Sequence, residues 1–246
     1  MFVGADNFRS VLSDPSFAAA IGRILLFGFA QVPVMLGFAL LMALILDGLS
    51  LRLAAFYRLA AFLPYAVPGI VATTIWAFFY LPDISPINAV GGTLGLPRAD
   101  LLSPATVLWS VANVSTWSWT GYNMVILFSQ LQAIPRDLYE QAAVDGASRF
   151  AIARRIKIPL VMPALVLTTV FSIIGTLQLY TEPYVLSRLT ISIDSTYTPV
   201  MAVSAAVKGN DFYTGATIST ILATITFVLS YGFLRLVGRR AYVETT

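Results

Sequence analysis

The sequence predicts an all-α protein: a polytopic bundle of membrane helices, organised as one domain across residues 1–246. Three observations predict it. Apolar residues make up 58% of the chain and charged residues 11%, whereas soluble domains carry about 25% charged residues. Mean hydropathy is +0.81. Five stretches, 24–46, 59–82, 101–135, 158–181 and 212–234, contain no Asp, Glu, Lys or Arg. Each meets the roughly 20 residues a helix needs to cross a hydrocarbon core of about 30 Å.

Inside that core the backbone has no water partner, so each run is expected to be helical. The runs are too long and too uniformly apolar for the short alternating segments of a β-barrel. Pro33 and Gly37 in the first run, and Pro64 and Pro68 in the second, are expected to kink their helices as such residues do in membranes. The third run contains WSVANVSTWSWTGYN and the fourth ends in IIGTLQLYTEPY. Asn123, Gln178, Tyr180 and Tyr122 are therefore candidates to line a solute path, since amides bind hydroxyls and aromatic faces pack on sugar rings. Asn and Gln can equally make interhelical hydrogen bonds. Trp117 and Trp119 are assigned to an interfacial belt, and Glu182 to the water at the end of its run.

Charge sets the orientation. The 47–58 linker carries Arg52 and Arg58, the 133–158 interval five basic residues, and the tail Arg235, Arg239 and Arg240. Alternate linkers hold only Arg98, Arg188 and Lys208. The basic set is expected on the cytoplasmic side, with the N-terminus outside and the C-terminus inside. The opening MFVGADNFRSVLSDPSF is no signal peptide. An external N-terminus of this kind is expected to follow an earlier span, absent from this product.

Other chemistry is excluded. With no Cys and no His, thiolate chemistry, imidazole bases and His/Cys metal sites are impossible. Lys157 and Lys208 are the only lysines, and neither stands in a phosphate-binding loop motif. The chain is not expected to be an enzyme, to bind a metal or cofactor, or to bind nucleic acid.

The interval 133–158, AIPRDLYEQAAVDGASRFAIARRIKI, is the one long charged stretch. Asp137 followed by Glu140 suggests a capping box, Gly146 a left-handed helix end, and Ser148 the cap of a second helix. Pro159 would then open the next span from its first turn. The expected product is a helix–turn–helix elbow. Its small alanines and its acids suit either a membrane surface or a groove in another protein.

EQAAVDGASRFAIARRIKIPL resembles the EAA loop of ATP-binding-cassette (ABC) importer permeases of the carbohydrate-uptake, maltose-type group. Glu140, Ala142, Ala143, Asp145, Gly146, Ala147, Ile156 and Pro159 fit that pattern, with Gln141 as its second letter. The VGADNFRSVLSDPSF and FYRLAAFLPYAVPGIVATTIWAFFY segments are similar to the approach to the second span and to the third span of those permeases. Two features depart from it. Ala153 stands where Phe is frequent, and VLSRLTISIDSTYTPV lacks the usual Leu-Thr-Gly-Gly-Gly-Pro.

The resemblance implies a type I importer permease fold and a place in the bacterial cytoplasmic membrane. It also implies two ATPase subunits carrying ATP and Mg, a second homologous permease and an extracytoplasmic solute-binding protein. Glu140, Ala142, Ala143, Asp145, Gly146, Ala147 and Pro159 would couple the ATPase to the spans. A secondary transporter would need ionisable residues at depth, and no Asp or Glu lies in any of the five runs. A non-transport assembly subunit would use the elbow only to hold a partner.

Overall fold

The computed structural model describes the backbone of residues 4–243, and their side chains except Leu51 and 238–243. Arg239 and Arg240, counted above for orientation, lie outside the described side chains. Among the described residues every regular element is helical. A short α1 (Asp6–Leu12) precedes α2 (Pro15–Asp47), whose start is set by Asp-Pro-Ser. Asp14 accepts the Ser16 N–H at 2.8 Å, and Pro15 takes the first turn, where its missing donor costs nothing. α2 runs unbroken through Pro33 and Gly37.

The second expected span is not one helix. It is α3 (Leu51–Ala66) and α4 (Gly69–Tyr80), bent by 91°. Pro68 lacks an N–H and clears Val67 out of the helical region, and Val67 has ψ 129°. Pro64 lies inside α3 and does not stop it.

α5 (Pro86–Thr93) leads to α6 (Val107–Gln132), which is 26 residues, or about 39 Å, long. α7 (Asp137–Val144) and α8 (Arg149–Ile152) form the elbow. A π-turn (Ala153–Lys157) joins α8 to α9 (Ile158–Leu177), and α10 (Thr181–Leu186), α11 (Pro199–Lys208) and α12 (Phe212–Val243) follow.

Three described helical segments are long and apolar enough to cross a membrane: Pro15–Asp47, Arg149–Leu186 and Phe212–Val237. The bent pair passes the same test jointly. α6 has the length but is too polar to join them, so the five expected spans separate into four by composition and one by length.

α2 packs most extensively on α6, and α9 packs on both. The buried positions of α2, including Ile24, Phe27, Gln31, Met35, Ala39, Ala43 and Leu46, recur at three- and four-residue spacing along one face. α3 approaches α6 so closely that a Cβ on Gly121 would lie 1.8 Å from the Ala61 carbonyl oxygen. Small residues permit such backbone contact between membrane helices.

Gly121→Ala should therefore destabilise by about 3 kcal/mol, the upper end of the range for overpacked sites. Gly37→Ala, where an added Cβ meets nothing within 4 Å, should leave the melting temperature unchanged or slightly raised. Thermal unfolding of the two variants in detergent checks the contrast.

Candidate functional site

The two largest clusters of buried apolar side chains lie toward opposite ends of α2 and α6. One cluster gathers Ile24, Phe27, Val107, Val111, Val114 and Leu177; the other gathers Ala39, Ala43, Leu46, Leu127, Leu131 and Val161. Between them, on the same helices, the sequence turns polar: Gln31 on α2, and Ser115, Ser118 and Asn123 on α6. A cavity of about 400 Å³ opens there.

Both interruptions of the helical backbone face this cavity. Val67 and Gly69 flank the α3–α4 break, and Gln178, Leu179 and Tyr180 form the break between α9 and α10. The breaks meet, because a Cβ on Gly69 would lie 3.5 Å from Thr181 Cγ2. Thr198 Oγ1 donates to the freed Leu179 carbonyl at 2.9 Å. Non-helical backbone within a membrane protein is tolerated where it lines a cavity or finds such partners.

Asn123, Gln178, Tyr180 and Tyr122, the residues singled out from sequence, all line this space. Tyr122 stacks on Tyr65 with ring centroids 4.7 Å apart, and Trp119 meets Tyr65 edge-on at 5.2 Å. Trp119 is thus part of an aromatic wall, which corrects its assignment to an interfacial belt. Trp117 instead packs edge-on against Trp76 at 5.9 Å. Asn123 is 3% exposed and donates to the Trp119 carbonyl at 3.0 Å, so its amide nitrogen already serves its own helix. Tyr180 shares a 3.3 Å hydrogen bond with Ser204.

Two lining residues escaped the sequence reading. Glu182 does not simply meet water: it sits in the cavity wall and accepts from Ser115 Oγ at 3.3 Å. Gln31 is buried and donates to Thr116 Oγ1 at 3.4 Å. An isolated amide inside a charge-free run was the available signal for Gln31.

The elbow forms largely as its residues dictate. Gly146 has φ +85°, the Ala147 N–H reaches back to the Ala142 carbonyl at 2.9 Å, and the Gly146 N–H reaches Ala143 at 3.0 Å. This crossed pair is the Schellman ending, which consumes carbonyls that would otherwise be unpaired. Ser148 caps α8 by accepting the Ala151 N–H at 3.2 Å.

The expected capping box is absent. Arg136 occupies the cap position without a side-chain bond, and Asp137 is already the first helical residue. Asp137 and Glu140 instead place two carboxylates in the first turn, favourable to the helix dipole. Pro159 stands in the first turn of α9, as expected. The π-turn that precedes it winds more widely and absorbs the clash a proline ring makes four residues back. The elbow leaves Val144 88% and Phe150 74% exposed, and Leu138 and Glu140 are exposed beside them.

Where the elbow joins the bundle, three helices converge on Asp47. Lys157 pairs with its carboxylate, and Gln132 Nε2 donates to Oδ1 at 2.6 Å. The Lys157 ammonium also lies 4.6 Å from the centre of the Tyr139 ring. Burial, and secondly the Asp47 charge, push the Tyr139 hydroxyl up to about 12. That oxygen is buried and has no hydrogen-bond partner among the described residues.

Tyr139→Phe should remove an unsatisfied group and keep the ring, so thermal unfolding should show no loss of stability, or a gain of up to about 1 kcal/mol. Because the folded-state value lies above the ordinary 10, the fold holds the phenol proton more tightly than the unfolded chain does, and wild-type stability is lost as pH rises from 10 toward about 12. The Tyr139→Phe protein has no such loss, so the difference in melting temperature in its favour should widen across that interval.

The protein family described as binding-protein-dependent transport system inner membrane component matches residues 35–241. The lactose transport system permease protein LacF of Rhizobium radiobacter is 35% identical over 187 residues, covering 74% of this chain and 62% of LacF. The diacetylchitobiose uptake system permease protein NgcF of Streptomyces coelicolor is 34% identical over 171 residues, covering 64% of this chain and 48% of NgcF. The chain thus spans about half to two thirds of the length of these two relatives.

The fold is also that of a bacterial alginate ABC transporter crystallised with an alginate-pentasaccharide-bound periplasmic protein. The TM-score is 0.87 at 18% identity, covering 98% of this chain and 84% of that one. With a match across most of its length, the chain belongs to the family of binding-protein-dependent transport system inner membrane components.

Proposed function

We propose that this chain is the membrane-spanning permease subunit of an ATP-driven importer that receives a carbohydrate from a binding protein. The observation that carries the reading is the elbow: a Schellman turn at Gly146 that presents Glu140, Leu138, Val144 and Phe150 outward from the bundle. Exposed apolar groups around a short helix suit a groove in a partner protein. The partner is a pair of ATPase subunits, which bind ATP and Mg. Glu140 contacts the ATPase, Ala142, Ala143 and Ala147 allow close approach, Asp145 and Gly146 shape the turn, and Pro159 lies where the elbow enters α9.

A second homologous permease completes the membrane unit, and an extracytoplasmic binding protein delivers the solute. The basic elbow and tail face the cytoplasm, which leaves the described N-terminal helix outside. Closure of the ATPase dimer carries the elbow inward and rocks the spans between two access states. The solute passes the cavity of Asn123, Gln178, Tyr180 and Tyr122 with the Tyr65/Trp119 wall, a combination of ring faces and amides suited to sugars. The named solutes of the relatives, lactose and diacetylchitobiose, support the carbohydrate reading.

Two substitutions test it in the assembled transporter. Glu140→Gln keeps shape and removes charge; uptake of labelled lactose, diacetylchitobiose or whichever sugar the parent carries should fall with membrane assembly intact. Wild-type uptake would refute the role of Glu140. Gly146→Pro should leave ATP hydrolysis running without transport, because the Schellman turn needs a left-handed residue there. Unchanged coupling would count against the elbow as lever.

A further inference from the structure

We infer that Asp47 is a positioning residue: its bonds to Lys157 and Gln132 clamp the elbow to the bundle so that the two move as one body. The inference rests on the elbow being the ATPase-coupling element. It concerns a residue outside the elbow itself, 90 positions or more before α7 begins.

The placement of Asp47 has no local explanation. It is the last residue of α2, where the helix dipole disfavours a carboxylate, and the last turn of α2 has no basic residue to offset it. Its side chain is only 6% exposed. A buried anion at a negative helix end needs compensation from elsewhere.

The compensation comes from two other elements. Gln132 ends α6, and Lys157, whose side chain is 15% exposed, ends the π-turn that leads into α9. Each partner is the terminal residue of its element, so the cluster ties three element ends at one point. Lys157 also holds the elbow, because its ammonium lies over the ring of Tyr139 on α7. The route from elbow to bundle thus runs Tyr139, Lys157, Asp47, Gln132. Among the described residues, only two salt bridges occur; the other, Arg98–Asp83, is exposed and joins the two loops that flank α5.

The left-handed Gly146 and the π-turn are both departures from regular helix, and the clamp spans them. Without it, the elbow would be held only by the chain at Ile134–Arg136, by the π-turn and by the apolar seats of Tyr139 and Ile152, none of which fixes a direction as an ion pair and a hydrogen bond do.

The test uses the complete transporter, with its ATPase subunits, in nanodiscs. The chain has no cysteine, so nitroxide labels at Gln141→Cys on the elbow and Phe38→Cys on the outside of α2 report one distance. Parent complexes should give a single narrow distribution. Asp47→Asn should broaden it, and the exchanged pair Asp47→Lys with Lys157→Asp should narrow it again. Binding-protein-stimulated ATP hydrolysis should fall roughly 2- to 30-fold in Asp47→Asn, the range for positions that carry coupling, while the ATPase co-purifies at the parent level.

An unchanged distribution in Asp47→Asn overturns the clamp. If Asp47→Asn does not assemble, Lys157→Gln is read in the same way, and a parent-like distribution there has the same meaning. Failure of the docking reading looks different: the ATPase would co-purify equally with a chain whose elbow carries Glu140→Gln and Val144→Asp, whatever the label distances show.

Discussion

Peptide groups that leave the helical ladder inside a bilayer have no water to turn to, and this constraint organises the centre of the molecule. The backbone breaks within two of the charge-free runs, at Val67–Pro68 and at Gln178–Tyr180. Both breaks face the same space and touch through Gly69 and Thr181. Neither could be accommodated against lipid. Together with the polar stretch of α6, they fix where the two apolar clusters stop and the cavity begins. The cavity is therefore a consequence of how the spans are interrupted.

The elbow follows a different logic, in which local chemistry sets the shape and distant contacts set the aim. A Schellman turn and a serine cap determine the angle between α7 and α8 from residues within a dozen positions. Nothing in that local set decides how the pair stands relative to α2 and α6. That depends on a carboxylate at one helix end, an amide at another and the ammonium that ends the π-turn, beside the apolar seat of Tyr139. Breaking such a buried pair by removing one partner costs about 3–5 kcal/mol, a large share of a domain's net stability of roughly 5–15 kcal/mol.

Much of this was legible in the sequence. Of the five spans expected from charge-free runs, four pass by length and composition, one of them as a bent pair; Gly146 announced its left-handed turn, and the four lining candidates reached one cavity. The failures have physical reasons. A hydropathy run does not register that Pro68 empties the helical region of Val67, so a right-angled pair read as one span. Asp137 looked like a cap because the spacing to Glu140 fits, but the helix starts one residue earlier than that pattern needs. Trp119 resembled a belt tryptophan by residue type and Glu182 a water-facing group by its place at the end of a run, and only the packing of α3, α4 and α10 around α6 puts both in the cavity wall. Asp47 carried no signal, since its partners lie 85 and 110 residues away.

The account turns on whether the exposed face of the elbow is covered by the ATPase. With no native cysteine, one substitution, Val144→Cys, places a unique thiol at the most exposed apolar site of α7. Ile191→Cys provides an equally exposed control on a loop at the opposite end. A short bifunctional thiol cross-linker applied to the assembled transporter should join the elbow cysteine to a cysteine introduced in the ATPase groove, and leave the control unlinked. Free, rapid maleimide labelling of the elbow cysteine in the ATP-bound complex, with no cross-link formed, would contradict the account.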